Sequence, residues 1–121
     1  MQDAHAVLEA FYTAVRRKDV ATARQYLDPN LTFYGLFETY PNAEAYVRAL
    51  TGLLSITTRL GVKTIVAEGE DAAIFFELET TAPAAATTLV AEWHKVRDGK
   101  IVEVRSAFDG RPFEAMFAAK Q

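Results

Sequence analysis

The sequence predicts an α+β domain with its helices towards the N-terminus and a run of antiparallel strands after them. Three observations carry this. Ala4, Val7, Leu8, Phe11, Ala14 and Val15 recur at helical spacing near the start of the chain. Residues 72–81 alternate, with Ile74, Phe76 and Leu78 on one face and Phe75, Glu77 and Glu79 on the other. Asp98-Gly99 stands between two runs rich in Val, Ile, Trp and Phe, which is a strong short-range signal for a β-hairpin. That hairpin, residues 87–109, is the element on which the helices need to pack.

The elements follow in order. Helix 1 spans residues 3–18, with Arg16, Arg17 and Lys18 in its last turn, where cations suit the negative end of the helix dipole. Asp19 can cap a short second helix over 20–27, which Pro29 stops. Residues 31–37 read as a strand with Leu31, Phe33 and Gly35 on one face. A loop passes through Tyr40-Pro41, and Asn42 can cap helix 3, whose stripe is Tyr46, Leu50, Leu53 and Leu54. Gly52 inside that helix costs about 1 kcal/mol relative to Ala, which suggests close packing there. Gly61 ends the helix. Residues 62–68 form a strand, 69–71 a turn, 72–81 a longer strand and 82–86 a turn of small residues around Pro83. The hairpin follows, and residues 112–120 form a last short helix with Phe113, Met116 and Phe117 on its apolar side.

Composition narrows the function classes. A chain of 121 residues, half of them apolar, is one globular domain over 1–121 with enough material for a core. The net charge of -3 and the lack of any basic run disfavour nucleic-acid binding. The absence of cysteine removes disulfides, thiolate nucleophiles and cysteine-ligated zinc together. Only His5 and His94 are available as imidazole ligands, so no transition-metal site is expected. The first residues lack a signal-peptide pattern, and no apolar run approaches the roughly 20 residues that span a bilayer. A cytoplasmic protein without a membrane partner is the expectation.

Several local patterns, in this order, resemble the SnoaL-like branch of the nuclear transport factor 2-like superfamily, which includes polyketide cyclases, ketosteroid isomerase and limonene epoxide hydrolase. They are residues 14–20 (AVRRKDV), 26–33 (YLDPNLTF), 42–46 (NAEAY) and, above all, 98–109 (DGKIVEVRSAFD). The resemblance implies a curved antiparallel sheet wrapped on three helices as a cone, an apolar pocket in its open end, and a homodimer through the convex sheet face. It also implies where site residues fall. The isomerase's helix-1 tyrosine falls at Phe11, its general-base aspartate at Gly35 and its second aspartate at Glu92. The epoxide hydrolase's aspartate on the last strand falls at Ser106. These departures argue against both reactions in their known form.

The hairpin's register decides what faces the pocket. A two-residue loop at Asp98-Gly99 pairs Glu92 with Arg105 and makes them a solvated ion pair worth about 0–1 kcal/mol. A three-residue loop, Arg97-Asp98-Gly99, groups Val90, Glu92, His94 and Val96 with Val102, Val104, Ser106 and Phe108. Alternation favours the first and the resemblance favours the second, which is the expectation taken. Trp93, Ala91, Ile101 and Ala107 then lie on the convex face, and an exposed tryptophan among small apolar residues suits a homodimer interface.

Glu92 and His94, two residues apart on one strand, would then be catalytic acid and base without a cofactor or metal. An apolar wall pushes the carboxyl pKa up and the imidazole pKa down, while their mutual attraction opposes both shifts. Phe11, Phe33, Phe37, Tyr46, Phe76, Ser106 and Phe108 would bind a small hydrophobic substrate, Ser106 as a polar anchor. The expected reaction is proton transfer on a hydrophobic carbonyl or polyketide-like compound. The alternative is a non-catalytic ligand-binding or dimerisation module. It accounts equally for the missing aspartates, and for phenylalanines that are plain core and a histidine that is merely hydrogen-bonded.

Overall fold

A computed structural model describes residues 3–115. Three helices cover the concave face of one six-stranded sheet. In chain order the elements are α1 (Ala4–Arg16), α2 (Val20–Arg24), β1 (Leu27–Tyr34), β2 (Thr39–Tyr40), α3 (Ala43–Ser55), β3 (Thr57–Glu68), β4 (Asp71–Thr80), β5 (Ala86–Arg97) and β6 (Lys100–Phe108), then a single 3-10 turn (Arg111–Phe113). The sheet order is β2-β1-β6-β5-β4-β3, and the sheet is curved and open.

Local chemistry sets the helix ends. The Asp3 carboxylate accepts from the Ala6 N–H at 2.8 Å and the Asn42 amide oxygen accepts from the Ala45 N–H at 2.8 Å. Each satisfies an amide that the helix itself leaves without a partner. On α1 the stripe Val7, Leu8, Phe11 and Val15 is almost wholly buried against the sheet. α3 stops at Ser55, well before Gly61. Ile56, Thr57 and Thr58 are β-branched, lose rotamer freedom in a helix and pack well on a pleated surface, so β3 begins there instead. α2 stops at Arg24, and Leu27 opens β1. Pro29 lies inside that strand, in the stretch between Leu27 and Thr32 where the ladder to β6 is irregular and no amide is required of it.

The sheet is mixed, not wholly antiparallel as the sequence suggests. β1 runs parallel to β6, pairing Phe33 with Val104 and Tyr34 with Arg105. Gly52 is not a close-packing point either, since a Cβ there would meet nothing within 4 Å. The expected C-terminal helix begins as the 3-10 turn that buries Phe113. Its remainder, with Met116 and Phe117, lies outside the described residues.

The hairpin combines features of both registers. Arg97 pairs with Lys100, so the loop is the two-residue Asp98-Gly99, with φ of 53° and 75°. Both residues occupy the left-handed region, as a type I′ turn requires. A bulge then inserts Val102 opposite the step from Lys95 to Val96. Beyond it the ladder runs His94 to Val104, Glu92 to Ser106 and Val90 to Phe108. Glu92 and His94 therefore face inward, as the longer loop was expected to place them. Two positions differ from that expectation. Ile101, expected on the convex face, is fully buried, and Val102, expected on the pocket face, is half-buried.

Candidate functional site

Between α1, α3 and the concave sheet lies a cavity of about 420 Å³. Its walls are mostly apolar because the strands crossing it turn alternate residues inward, among them Phe76 and Leu78 on β4, Val90 on β5 and Phe108 on β6. Tyr46 of α3 stacks on Phe33 of β1 with ring centroids 4.7 Å apart and planes 15° apart, which fixes both rings. Leu36 and Phe37, both exposed, belong to the lining contributed by the turn after β1. That turn closes through the Gly35 N–H, which donates to the Glu38 carbonyl at 2.9 Å. A Cβ at Gly35 would approach that same carbonyl to 2.8 Å, so an aspartate could not stand there without moving the turn.

All seven residues expected to contact a ligand (Phe11, Phe33, Phe37, Tyr46, Phe76, Ser106 and Phe108) line this cavity. Glu92 lines it too. His94 does not: it is fully buried behind Glu92 and Tyr12, with Nε2 3.5 Å from Glu92 Oε1.

Tyr12, a possible donor whose facing the sequence leaves open and which is not among the expected site residues, is the partner of both. Its hydroxyl donates a hydrogen bond to Glu92 Oε1 and lies 3.0 Å from His94 Nε2. The position was legible, because Tyr12 is four residues after Leu8 and three before Val15 and so continues the buried stripe of α1. The phenol comes from here and not from Phe11, the neighbouring position to which the isomerase's tyrosine aligned. Phe11 packs edge-on against the Tyr12 ring at 5.0 Å.

One proton assignment fits the triad. The single Tyr12 hydroxyl proton goes to the carboxylate, so Nε2 of His94 carries the proton that faces the phenol oxygen. His94 Nδ1 is buried without a hydrogen-bond partner among the described residues.

Opposing effects act on Glu92, as the sequence leads one to expect, and the attractive ones prevail. Burial works against the charged form of Glu92. Hydrogen bonding and attraction from His94, with the hydroxyls of Tyr12 and Ser106, outweigh it and hold the carboxyl below its ordinary 4.5. Glu92 is therefore a carboxylate at neutral pH. Burial raises the Tyr12 phenol well above 10.0, and the Glu92 charge raises it further. The Tyr46 phenol is raised well above 10.0 by the same two causes. Its hydroxyl has no hydrogen-bond partner among the described residues, which leaves it free for a ligand. Among the described residues no group of three or more histidine, cysteine or acidic side chains could hold a metal ion. No helix among them is long and apolar enough to cross a membrane.

The model of a family described as a SnoaL-like domain matches residues 8–104. No curated protein sequence matches the chain significantly. Among solved structures, a protein from Kribbella flavida superposes with a TM-score of 0.86 at 22% identity, over 99% of this chain and 98% of that one. A cystatin-like-fold protein of unknown function from Xanthomonas campestris gives 0.85 at 19%, over 96% and 98%. An M. tuberculosis LEH-like epoxide hydrolase gives 0.75 at 19%, over 95% and 89%. At these identities the likeness is one of fold.

Proposed function

The chain belongs to the SnoaL-like family, and from that premise we propose that it is a small cofactor-independent enzyme of isomerase or cyclase type. It moves a proton on a hydrophobic carbonyl or polyketide-like compound. The observation that carries the reading is a carboxylate in the wall of an apolar cavity, held ionised by hydrogen bonds from a phenol, an imidazole and a hydroxyl.

Glu92 is the catalytic residue. It takes a proton from the carbon beside the substrate carbonyl, and the C–H electron pair moves onto the carbonyl oxygen as an enolate. Tyr46, with a free hydroxyl in the same cavity, donates a hydrogen bond to that oxygen. Glu92, now a carboxylic acid, returns the proton at another carbon, or the enolate carbon attacks a second carbonyl and closes a ring, and the alkoxide formed takes the proton back from Glu92. His94 does not reach the cavity, and Tyr12, which lines it, turns its hydroxyl to Glu92. They position the carboxylate and stabilise its charge, so His94 acts through Glu92. Ser106 holds the other side of the carboxylate and lines the cavity.

Deuterium incorporation from D2O into a bicyclic ketone such as 2-tetralone, followed by NMR, tests the reading. Exchange should depend on the protein and fall by at least about 100-fold in Glu92→Gln while the ketone still binds. Saturable binding without exchange in the unaltered protein would instead establish ligand binding without turnover. Gly35 favours that second reading, because the turn leaves no room there for the superfamily's base.

The outer face of the sheet supports a homodimer. Trp93 is 51% exposed and Leu89 62%, and the row Phe75, Ala91 and Ala107 runs beside them across β4, β5 and β6. A cytoplasmic location accords with this reading.

A further inference from the structure

The charge of the cavity narrows the class of ligand, and the inference rests on the reading of that cavity as a ligand site. Two ionisable acids line it, Glu92 in the interior and Glu38 beside the turn after β1, where it hydrogen-bonds Tyr40. Among the described residues no lysine, arginine or histidine lines it. The basic side chains near its elements are turned elsewhere. Lys18 Nζ donates to the Thr57 carbonyl at 2.9 Å, Arg24 pairs with Glu44 at 2.8 Å, and Arg105 lies over the Tyr34 ring at 4.1 Å.

Two of the hydroxyls inside are committed, whereas that of Thr88, also in the lining, is buried without a hydrogen-bond partner among the described residues. The Tyr12 and Ser106 hydroxyls both point at Glu92. A carboxylate has about four acceptor sites, so Glu92 keeps acceptor capacity towards the cavity it lines. A ligand therefore meets an anionic acceptor, the Tyr46 phenol and the neutral Thr88 hydroxyl in surroundings of low dielectric, where like charges repel far more strongly than in water.

We propose that this cavity selects neutral or cationic hydrophobic ligands that present a hydrogen-bond donor to Glu92, and rejects anions such as carboxylates, phosphates and acyl chains carried on anionic thioesters. Glu92 is the selecting residue. The substrate of the enzyme is then a free, uncharged compound, its carbonyl on Tyr46 and its acidic C–H or O–H on Glu92. A carboxylic acid must be esterified, amidated or lost before the molecule enters.

The test is a set of three naphthalenes of one skeleton, titrated calorimetrically into the full chain at pH 8: 2-naphthylmethanol, 2-naphthylmethylamine and 2-naphthoate. The alcohol and the amine should bind, and the naphthoate should bind at least about tenfold more weakly than the alcohol. Glu92→Gln, checked for an intact fold, should bring alcohol and naphthoate within about twofold of each other. Naphthoate binding as tightly as the alcohol to the unaltered protein overturns the proposal, with no variant needed. So does discrimination that survives in Glu92→Gln. Failure of all three ligands to bind overturns both this proposal and the cavity reading. The expected ranking in a protein that shows no deuterium exchange supports this proposal while removing catalysis.

Discussion

The two faces of the sheet hold similar side chains under opposite conditions. Inward, Glu92 and His94 stand 3.5 Å apart at 9% and 0% side-chain exposure. On the outer face of the same sheet, Arg59 and Glu79 stand 2.6 Å apart at 45% and 38%. Proximity alone would rank the outer pair higher. Water screens that pair and hydrates both partners whether or not they meet. The inner pair has surrendered its hydration, so every remaining hydrogen bond to it counts. The difference teaches that burial, not distance, makes a chemical site of an acid beside a base. The period-2 alternation of a strand separates the two environments by a single residue, as it does buried Leu78 from Glu79 on β4.

The largest expected effect comes from breaking the inner pair. His94→Ala strands the Glu92 charge in an apolar wall, and urea unfolding should show a loss of about 3–5 kcal/mol. The double variant Glu92→Leu with His94→Leu removes both polar groups and should recover most of that stability while losing any activity. Arg59→Ala on the outer face should leave the urea midpoint near that of the unaltered protein. Similar midpoints for His94→Ala and Arg59→Ala would refute the comparison.

A smaller effect is expected from pH, and its sign follows from the two phenols. Unfolded tyrosine ionises near 10.0, whereas folded Tyr12 and Tyr46 stay protonated well above that. Their contribution is fully present below pH 10 and is lost as pH rises through their folded values, because only the unfolded chain releases protons in that window. Glu92 acts in the other direction. Its lowered value gives stability above the ordinary 4.5 that is lost as pH falls below it. The melting temperature should fall between pH 10 and 11. Tyr12→Phe with Tyr46→Phe should flatten that fall, and an unchanged slope would mean that other groups carry it.

Much of this contrast was legible in the sequence, and the gaps have physical causes. The alternation in 72–81 and the Asp98-Gly99 turn place the strands, and the strip of apolar residues on α1 places the helix above them. The bulge was harder to read. Its signal is that Ile101 and Val104, three residues apart, are both fully buried, which strict alternation forbids unless one residue is extra. The parallel pairing of β1 with β6 joins residues about 70 apart in the chain, and no local pattern announces such a contact. Glu92 could be assigned to the pocket from its strand face. That His94 stands behind it could not, because the two share that face and only the packing of Tyr12 between helix and sheet shows which one meets the cavity.

The smallest effect on stability, and the last way to sharpen the comparison, lies at Trp93. Its indole N–H donates to Asp71 at 2.9 Å, which holds the ring in place on the convex face instead of leaving it free to move. A fixed, half-exposed aromatic beside Leu89 loses little conformational freedom on association, which is the property of an interface anchor. Light scattering on the eluting protein should therefore give a dimer, and Trp93→Arg combined with Leu89→Arg should give a monomer. The folded monomer should keep its far-UV spectrum, since neither side chain contributes to the core. What the variant should lose is the rise of melting temperature with protein concentration that a dimer shows. A monomeric unaltered protein at high concentration would overturn the dimer reading. The outer face would then differ from the inner one in solvent exposure alone, with no binding role of its own.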